Sequence, residues 1–354
     1  MIPPRLIYRK GELKILDQRA IPCKTAWVKA TDAVSTASAI RDMVLRGAPL
    51  IGCASAYGYV LAFENKKFSS AVDVLSYFKK IKKILNSSRP TAVALFASSD
   101  RMEKIVLESL KKYGKDIKKE HISNEIYRAV FAEARRIEKE DIDSTLAMAE
   151  NGMRLLKKGS RVITYCNTGA LATMGIGTAL GVITQGHKKG KVSFAYSCET
   201  RPYLQGTRLT IWELQKNNVP SALITDNMAA HIMSTEKIDA ILIGADRIAA
   251  NGDTANKIGS YQLAIAAKYH KIPFFVVAPM STFDLKLKTG KEIKIEERSE
   301  REVTELRGLR LAPKGIRVRH PAFDVTPNSL ITAIITEKGI ISPVNSRNVL
   351  RISP

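Results

Sequence analysis

The 354-residue sequence contains no run of roughly 18 uncharged apolar residues, so it offers no candidate for a membrane span. Its first ten residues, MIPPRLIYRK, lack an apolar core and a small-residue cleavage site, and no secretory signal is expected. Cysteine is scarce: Cys23, Cys53, Cys166 and Cys198 lie far apart without a CxxC. That spacing excludes a disulfide framework and suits reduced thiols in a cytoplasm. The five histidines (121, 187, 231, 270 and 320) show neither HExxH nor paired-ligand spacing, so no metal site is expected. Internal repeats and low-complexity tracts are also missing. What is present is ordinary for a folded globular protein, with 45% hydrophobic and 25% charged residues. The length suits one large domain with a smaller one.

Acidic residues are in deficit. Fifty-six Lys and Arg stand against 34 Asp and Glu, a net charge of +22, of which residues 1–120 carry +12. Such a field attracts anions, with phosphate or nucleic acid the natural candidates. Much of the excess reads as solvated helix faces. In 71-AVDVLSYFKKIKKIL-85, Val74, Leu75, Phe78, Ile81 and Leu85 follow helical spacing with four lysines between them. Aromatics make up only 6% and do not interleave with the lysines, so no nucleic-acid partner is expected.

Residues 1–120 read as a small, mainly helical N-terminal domain. Helical periodicity continues over 121–159, as one connecting helix or two, opening a second domain that spans 121–354. From residue 160 the texture changes to short apolar runs alternating with helical stretches: RVITYC (161–166), KVSFAYS (191–197), VPSALIT (219–225), DAILIG (239–244) and PFFVVA (273–278). Near-continuous apolar strands separated by helices mean buried parallel strands. The fold expected is therefore α/β, a C-terminal doubly wound, Rossmann-like sheet. The charged stretch 284–302 reads as a surface loop or β-ribbon. Two patterns mislead. Asp141-Ile142-Asp143-Ser144-Thr145 fits an aspartyl-phosphatase motif, but a charged helical face precedes it where a buried strand is needed. The glycines of GIGTALG (175–181) follow a helical stretch with GxGxxxG spacing, which suits close helix packing rather than a dinucleotide.

Ligands of open α/β sheets bind beyond the carboxyl ends of the strands. Strand RVITY ends at Cys166, before a helix start expected near Ala170, where helix N–H groups would favour a thiolate. Strand DAILIG ends at Asp246, in Gly244-Ala245-Asp246-Arg247. A thiol and a carboxyl facing one cleft form an acid–base pair; taken singly, each also fits packing or helix capping. Around them lie groups suited to an anionic, hydroxyl-rich ligand. These are Arg46-Gly47-Ala48-Pro49, Ser88-Arg89-Pro90-Thr91, Glu199-Thr200-Arg201-Pro202 with Gln205-Gly206, and Asn256-Lys257 after NGDT (251–254).

Seven blocks carry a resemblance: RGAPLIG (46–52), SRPTAV (88–93), TYCNTGALATMGIGTALG (164–181), ETRPYLQGTRLTIWEL (199–214), TDNMAAHIM (225–233), GADRIAANGDTANKIGSYQLA (244–264) and PAFDVTPNSLITAIITEKG (321–339). In this order they resemble the S-methyl-5-thioribose-1-phosphate isomerases of methionine salvage. The superfamily also holds ribose-1,5-bisphosphate isomerases and regulatory subunits of a translation initiation exchange factor. The resemblance implies a cofactor-free aldose–ketose isomerase, homodimeric and cytoplasmic. It implies Cys166 and Asp246 as the catalytic pair, with Arg46, Gly47, Ala48, Arg89, Gln205, Asn256 and Lys257 as the substrate-binding set. The chain departs from the family pattern at Cys198, where Asp is usual, at Tyr165, where His is common, at Ala94, where Asn is usual, and at Ala97, often aromatic. These departures leave open 5-deoxyribose 1-phosphate or ribose 1,5-bisphosphate as substrate, and a non-catalytic regulatory subunit is the remaining alternative. The FDVTP and IEER blocks favour the methylthioribose branch.

Overall fold

The structure is a computed structural model that describes residues 2–89, 93–113, 119–306 and 308–352. The chain forms two compact units: Ile2–Asp143 with Leu171–Gly175, and Ser144–Ala170 with the chain from Ile176 onward. The sequence reading divided the domains at 120/121; the compact units part instead at Asp143/Ser144. The division falls inside a single 35-residue helix, so periodicity carries no mark of it.

The first unit begins with an antiparallel sheet that the sequence reading did not expect. It comprises β1 (Leu6–Arg9), β2 (Glu12–Leu16) and β3 (Trp27–Ala30). Helices follow: α1 (Ala33–Arg41), α2 (Ala48–Phe63), α3 (Ala71–Asn86), α4 (Val93–Tyr113) and α5 (Lys119–Met153). Asp32 starts α1 through a reciprocal capping box with Ser35, and Ser70 caps α3 by accepting from the Asp73 amide. Every residue of α2 from Leu50 to Phe63 is buried, as expected of a helix that is apolar on all sides. It packs against α1 and α4, and Gly52 lies so close to Ala94 that an added Cβ would stand 3.0 Å from the Ala94 carbonyl oxygen. Residues 121–153 thus form one helix with residues 119–120, and the misleading Asp141-Ile142-Asp143 lies on it.

The second unit carries β4 (Ser160–Thr164), α6 (Ala179–Lys188), β5 (Val192–Cys198), α7 (Ile211–Lys216), β6 (Ser221–Ile224), α8 (Ala229–Thr235), β7 (Ala240–Ile243), β8 (Arg247–Ala249), β9 (Thr254–Lys257), α9 (Ser260–Tyr269) and β10 (Phe274–Val277). After these come β11 (Phe283–Asp284), α10 (Arg301–Thr304), β12 (Glu305–Leu306), β13 (Leu309–Arg310), β14 (Phe323–Thr326), β15 (Ala333–Thr336), β16 (Gly339–Ile341) and α11 (Ser346–Ile352). Seven strands form one sheet in the order β16-β15-β10-β7-β4-β5-β6, parallel throughout except for β16. All five apolar runs read from the sequence are strands of this sheet, and the fold is the α/β, Rossmann-like one expected. A second sheet, β11-β8-β9-β14, stands beyond the carboxyl end of β7. Between β11 and α10, residues 285–300 are loop with one 3-10 turn at Gly290–Glu292 rather than a ribbon.

Strand order reverses between β4 and β7. From β4 the chain first builds outward through β5 to β6, then returns to lay β7 on the other side of β4. This is the topological switch point, where loops leaving adjacent strands diverge and open a crevice.

Candidate active site at the switch point

Cys166 follows β4 and Asp246 follows β7, so the two residues flank the switch point from neighbouring strands. Register confirms the adjacency: Thr164 pairs with Leu242, and the Thr164 hydroxyl donates to the Leu242 carbonyl at 2.9 Å. Paired strands lie about 5 Å apart. The following turns touch as well, since a Cβ on Gly244 would stand 2.7 Å from the Thr168 methyl. Asp246 opens the second sheet, its N–H donating to the Ala255 carbonyl at 2.9 Å beside Asn256 and Lys257 on β9. Asn256 is buried and donates to the Ser260 hydroxyl (2.8 Å), while the Lys257 ammonium sits 4.1 Å from the centre of the Phe323 ring. Among the described residues, no side-chain hydrogen bond or ion pair engages the Asp246 carboxylate.

The Cys166 turn is gripped from several directions. Its φ of +65° is left-handed, as are Thr200 (+61°) and Leu204 (+59°) in the loop after β5. Non-glycine residues avoid this region: each costs about 1–3 kcal/mol and persists only where its surroundings impose it. Here they do. The Cys166 amide donates to the Thr200 hydroxyl (2.9 Å), and its carbonyl accepts from the Thr210 hydroxyl (2.6 Å). The next side chain, Asn167, donates to the buried Glu213 carboxylate on α7 at 2.7 Å. Gln205 Nε2 donates to the thiol sulfur at 3.2 Å. Gln205 Oε1 is buried and has no partner among the described residues. A buried acceptor left alone is costly, and a ligand hydroxyl donating to it removes that cost.

The helix expected near Ala170 is corrected by the structure. Ala170–Ala172 make only a 3-10 turn, and α6 begins at Ala179. The start of α6 is held by Thr168, whose carbonyl accepts from the Thr178 amide (2.7 Å) and whose hydroxyl accepts from the Leu180 amide (3.1 Å). The helical segment next to the Cys166 sulfur is instead the one capped by Gln205, a π-helical turn at Gly206–Thr210 running into α7. The glycines at 175–181 also serve otherwise than expected. Gly177 (φ +97°) crosses Gly169 so closely that a Cβ would meet its Cα at 2.4 Å, so this glycine lets two loop segments cross, not two helices pack.

Arg46, Gly47, Ala48 and Arg89 lie in the other unit. Gly47 (φ +97°) is the residue from which α2 starts, with Ala48 and Pro49 in its first turn. It abuts Ala172, with a Cβ at 2.5 Å from the Ala172 Cα. Ala172 belongs to the short stretch 171–175 that this unit takes from the chain after Cys166. That stretch is held tightly: Arg5 donates to the carbonyls of Thr173, Met174 and Gly175, Gln18 to that of Leu171, and Asp141 accepts from the Met174 amide. Burial pushes the Asp141 carboxyl up to about 6. Of the Ser-Arg-Pro-Thr block, Pro90 and Thr91 lie outside the described residues.

The departures from the family pattern fall in different places. Cys198 is buried at the end of β5, and burial pushes its thiol well up, as for an inert packing cysteine. Ala97 is exposed on α4, and Ala94 faces Gly52. Tyr165 is buried, donates to the Ile258 carbonyl (2.8 Å), and lines a cavity of about 310 Å³ with Arg201, Asp226, Leu263 and Val303. Neither Cys166 nor Asp246 lines that cavity. Among the described residues, no helix is long and apolar enough to cross a membrane, and no three His, Cys, Asp or Glu side chains cluster to hold a metal ion.

Sequence reasoning missed Thr210, Asn167 and Glu213, and named Thr200 only as part of the ligand-facing segment 199–202. The one signal available was Glu213 itself, a carboxylate in the largely apolar Leu-Thr-Ile-Trp-Glu-Leu stretch.

Residues 44–343 match the Initiation factor 2 subunit family. The chain is 48% identical over 342 residues to methylthioribose-1-phosphate isomerase of Thermotoga neapolitana, covering 97% of this chain and 96% of that protein. It is 47% identical over 344 residues to the enzyme of the same name from Acetivibrio thermocellus, covering 97% and 98%. Among solved structures, 5-methylthioribose 1-phosphate isomerase from Pyrococcus horikoshii OT3 superposes with a TM-score of 0.90 at 41% identity, over 99% of this chain and 96% of that one. The delta subunit of translation initiation factor eIF-2B from A. fulgidus superposes at 0.85 with 38% identity, over 99% and 100%.

Proposed function

The chain belongs to the Initiation factor 2 subunit family, and from that membership we propose that it is the aldose–ketose isomerase of methionine salvage, converting S-methyl-5-thioribose 1-phosphate to S-methyl-5-thioribulose 1-phosphate. The observation that supports it in the site is the pairing of Cys166 and Asp246 on neighbouring strand ends at the switch point, with the orphan Gln205 Oε1 beside the thiol. The substrate carries phosphate on its anomeric carbon, so its ring does not open spontaneously. In our reading Asp246 protonates the ring oxygen as its bond to C1 breaks, and one hydrogen moves from C2 to C1 with Cys166 as the partner in that transfer. The C2 hydroxyl gives up its proton as the ketone forms, which returns the proton that Asp246 supplied. Gln205 and Asn256 bond the sugar hydroxyls, and Arg46, Arg89 and Lys257 hold the phosphate together with the Gly47 and Ala48 amides. Fixing the phosphate orients the sugar for reaction, and the scheme calls for no metal or cofactor.

We further infer a homodimer working in the cytoplasm, in keeping with four free cysteines, and assign nucleic acid no part in the role of the +22 charge. The likeness to the eIF-2B delta subunit favours a second reading, a non-catalytic regulatory subunit. Phosphorus NMR separates the two. Purified protein with 5-methylthioribose 1-phosphate should yield a ketose 1-phosphate signal, and Asp246→Asn and Cys166→Ala should each lower turnover by ~10²–10⁴. A flat trace with the wild-type protein, repeated on 5-deoxyribose 1-phosphate and ribose 1,5-bisphosphate, would hand the case to the regulatory subunit. Near-normal turnover by Cys166→Ala would remove that residue from the mechanism.

A further inference from the structure

The loops leaving β4, β5 and β6 are tied in series. Asp226, just past β6, accepts the Thr200 amide on one carboxylate oxygen (2.8 Å) and the Arg201 amide on the other (2.7 Å). Thr200, just past β5, in turn accepts the Cys166 amide on its hydroxyl oxygen at 2.9 Å and donates its own proton to the Cys198 carbonyl (3.2 Å). Both Cys166 and Thr200 hold positive φ, and a β-branched threonine there is an outlier that only imposed bonds maintain. Burying Thr200 completely leaves its hydroxyl no water to turn to, so its direction is set by these two partners. From this series we propose that Asp226 and Thr200 are positioning residues for the Cys166 thiol: the carboxylate sets the Thr200 backbone, and the hydroxyl sets the turn from which the sulfur projects. The inference rests on the reading of Cys166 as catalytic.

The anion required here is a carboxylate rather than an amide, because two N–H donors converge on two oxygens. An asparagine offers one oxygen, and its own N–H group opposes the second donor. The hydroxyl is required in the same sense: valine fills the space of Thr200 but leaves the Cys166 amide without an acceptor, whereas serine keeps the oxygen.

The test compares Thr200→Val, Thr200→Ser and Asp226→Asn in the full-length protein. Two readouts are taken, steady-state kinetics and the rate of iodoacetamide modification at Cys166. Peptide mass spectrometry reads the modification, with exposed Cys23 as the reference thiol in the same molecule. A displaced reacting group costs on the order of 10²-fold in rate. Thr200→Val and Asp226→Asn should therefore lower kcat by about that factor, with KM within about twofold of wild type, the pattern of a group that acts on the reacting atoms rather than on binding. Both should shift the Cys166/Cys23 modification ratio by at least about tenfold, while Thr200→Ser restores both values. A wild-type ratio and kcat in Thr200→Val overturns the proposal, as does failure of Thr200→Ser to rescue. Should Thr200→Val not fold, the same two values in Asp226→Asn decide. If Cys166→Ala stays active, the catalytic reading falls on its own, and the modification ratio still judges the positioning.

Discussion

Replacing Gly47 with alanine tests how the start of α2 is packed, and the structure supplies its own control. At φ +97° and ψ +125° Gly47 occupies backbone space that side-chain-bearing residues rarely enter, at a cost of about 1–3 kcal/mol. The new Cβ would also stand 2.5 Å from both the Cα and the carbonyl oxygen of Ala172 and 2.6 Å from its Cβ. Two of those atoms are backbone, fixed by the bonds from Arg5 and Gln18 to the same stretch, so no side chain can swing away. Overpacking of this kind adds roughly 1–3 kcal/mol. The total, about 2–6 kcal/mol, lowers the melting temperature by on the order of 5–15 °C. Gly11 also has positive φ (+77°), in the turn between β1 and β2, but nothing lies within 4 Å of a Cβ placed there. Gly11→Ala should therefore cost only the backbone term, about 1–2 kcal/mol. Thermal unfolding followed by circular dichroism compares the two. If Gly47→Ala melts within about 2 °C of Gly11→Ala, the overlap with Ala172 does not cost what the geometry requires, and the reasoning is refuted.

Gly169→Ala probes the Cys166 turn, because the added Cβ would stand 2.3 Å from one Glu213 carboxylate oxygen and 2.5 Å from the other. Glu213 is buried, so the carboxylate must release Asn167, and turnover in the phosphorus NMR assay should fall on the order of 10²-fold; unchanged turnover would sever that link. The carboxyls of Asp141 and Asp324 are both pushed up to about 6 by burial, which outweighs the backbone amides that bond each of them. The native state then binds more protons than the unfolded chain between about pH 4 and 6, so each group's contribution is greatest below pH 4 and is lost as pH rises through 6. Each is worth roughly 2–3 kcal/mol. Urea unfolding across pH 4–7 should show a shallower decline with rising pH in Asp141→Asn or Asp324→Asn than in wild type, and identical pH profiles would contradict the assignment.

What could be read before the structure, and what could not, divides along physical lines. Four interior strands, β4, β5, β7 and β10, were legible because a strand covered on both faces needs apolar residues at every position, as in Ala240-Ile241-Leu242-Ile243; the edge strand β6 was read with them, and the interior β15 was not. The positions of Cys166 and Asp246 followed, since each is the first reactive group past such a run. The second sheet was not legible: β8, β9 and β14 have three or four residues each and read RIA, TANK and FDVT, without apolar alternation. The pairing of β9 with β14 joins stretches more than sixty residues apart, as between Thr254 and Thr326. The early sheet of β1–β3 escaped because its strands have only four or five residues each, too few for the alternation of Leu13 and Ile15 about Lys14 to stand out.

The turn around Cys166 marks the limit more sharply. A helix was expected to start near Ala170, soon after the strand that ends at Cys166. The structure instead spends nine residues on two crossing loop segments before α6 begins, held open by Gly169 and Gly177. The groups that set the turn come from 34 to 46 residues further along the chain: Thr200, Thr210 and Glu213. Periodicity reports which face of an element is buried, and each of these residues sits in a stretch whose periodicity is satisfied without it. Nothing local says which hydroxyl meets which amide. The same reasoning explains why the fold alone does not decide between an isomerase and a regulatory subunit, because both superpose on this chain over nearly its whole length. The decision lies in the side chains at the switch point. A thiol forced into a left-handed turn, bonded by a buried amide whose oxygen has no partner among the described residues, has no value to a scaffold and a direct one to an enzyme that must bring a reacting group to a sugar.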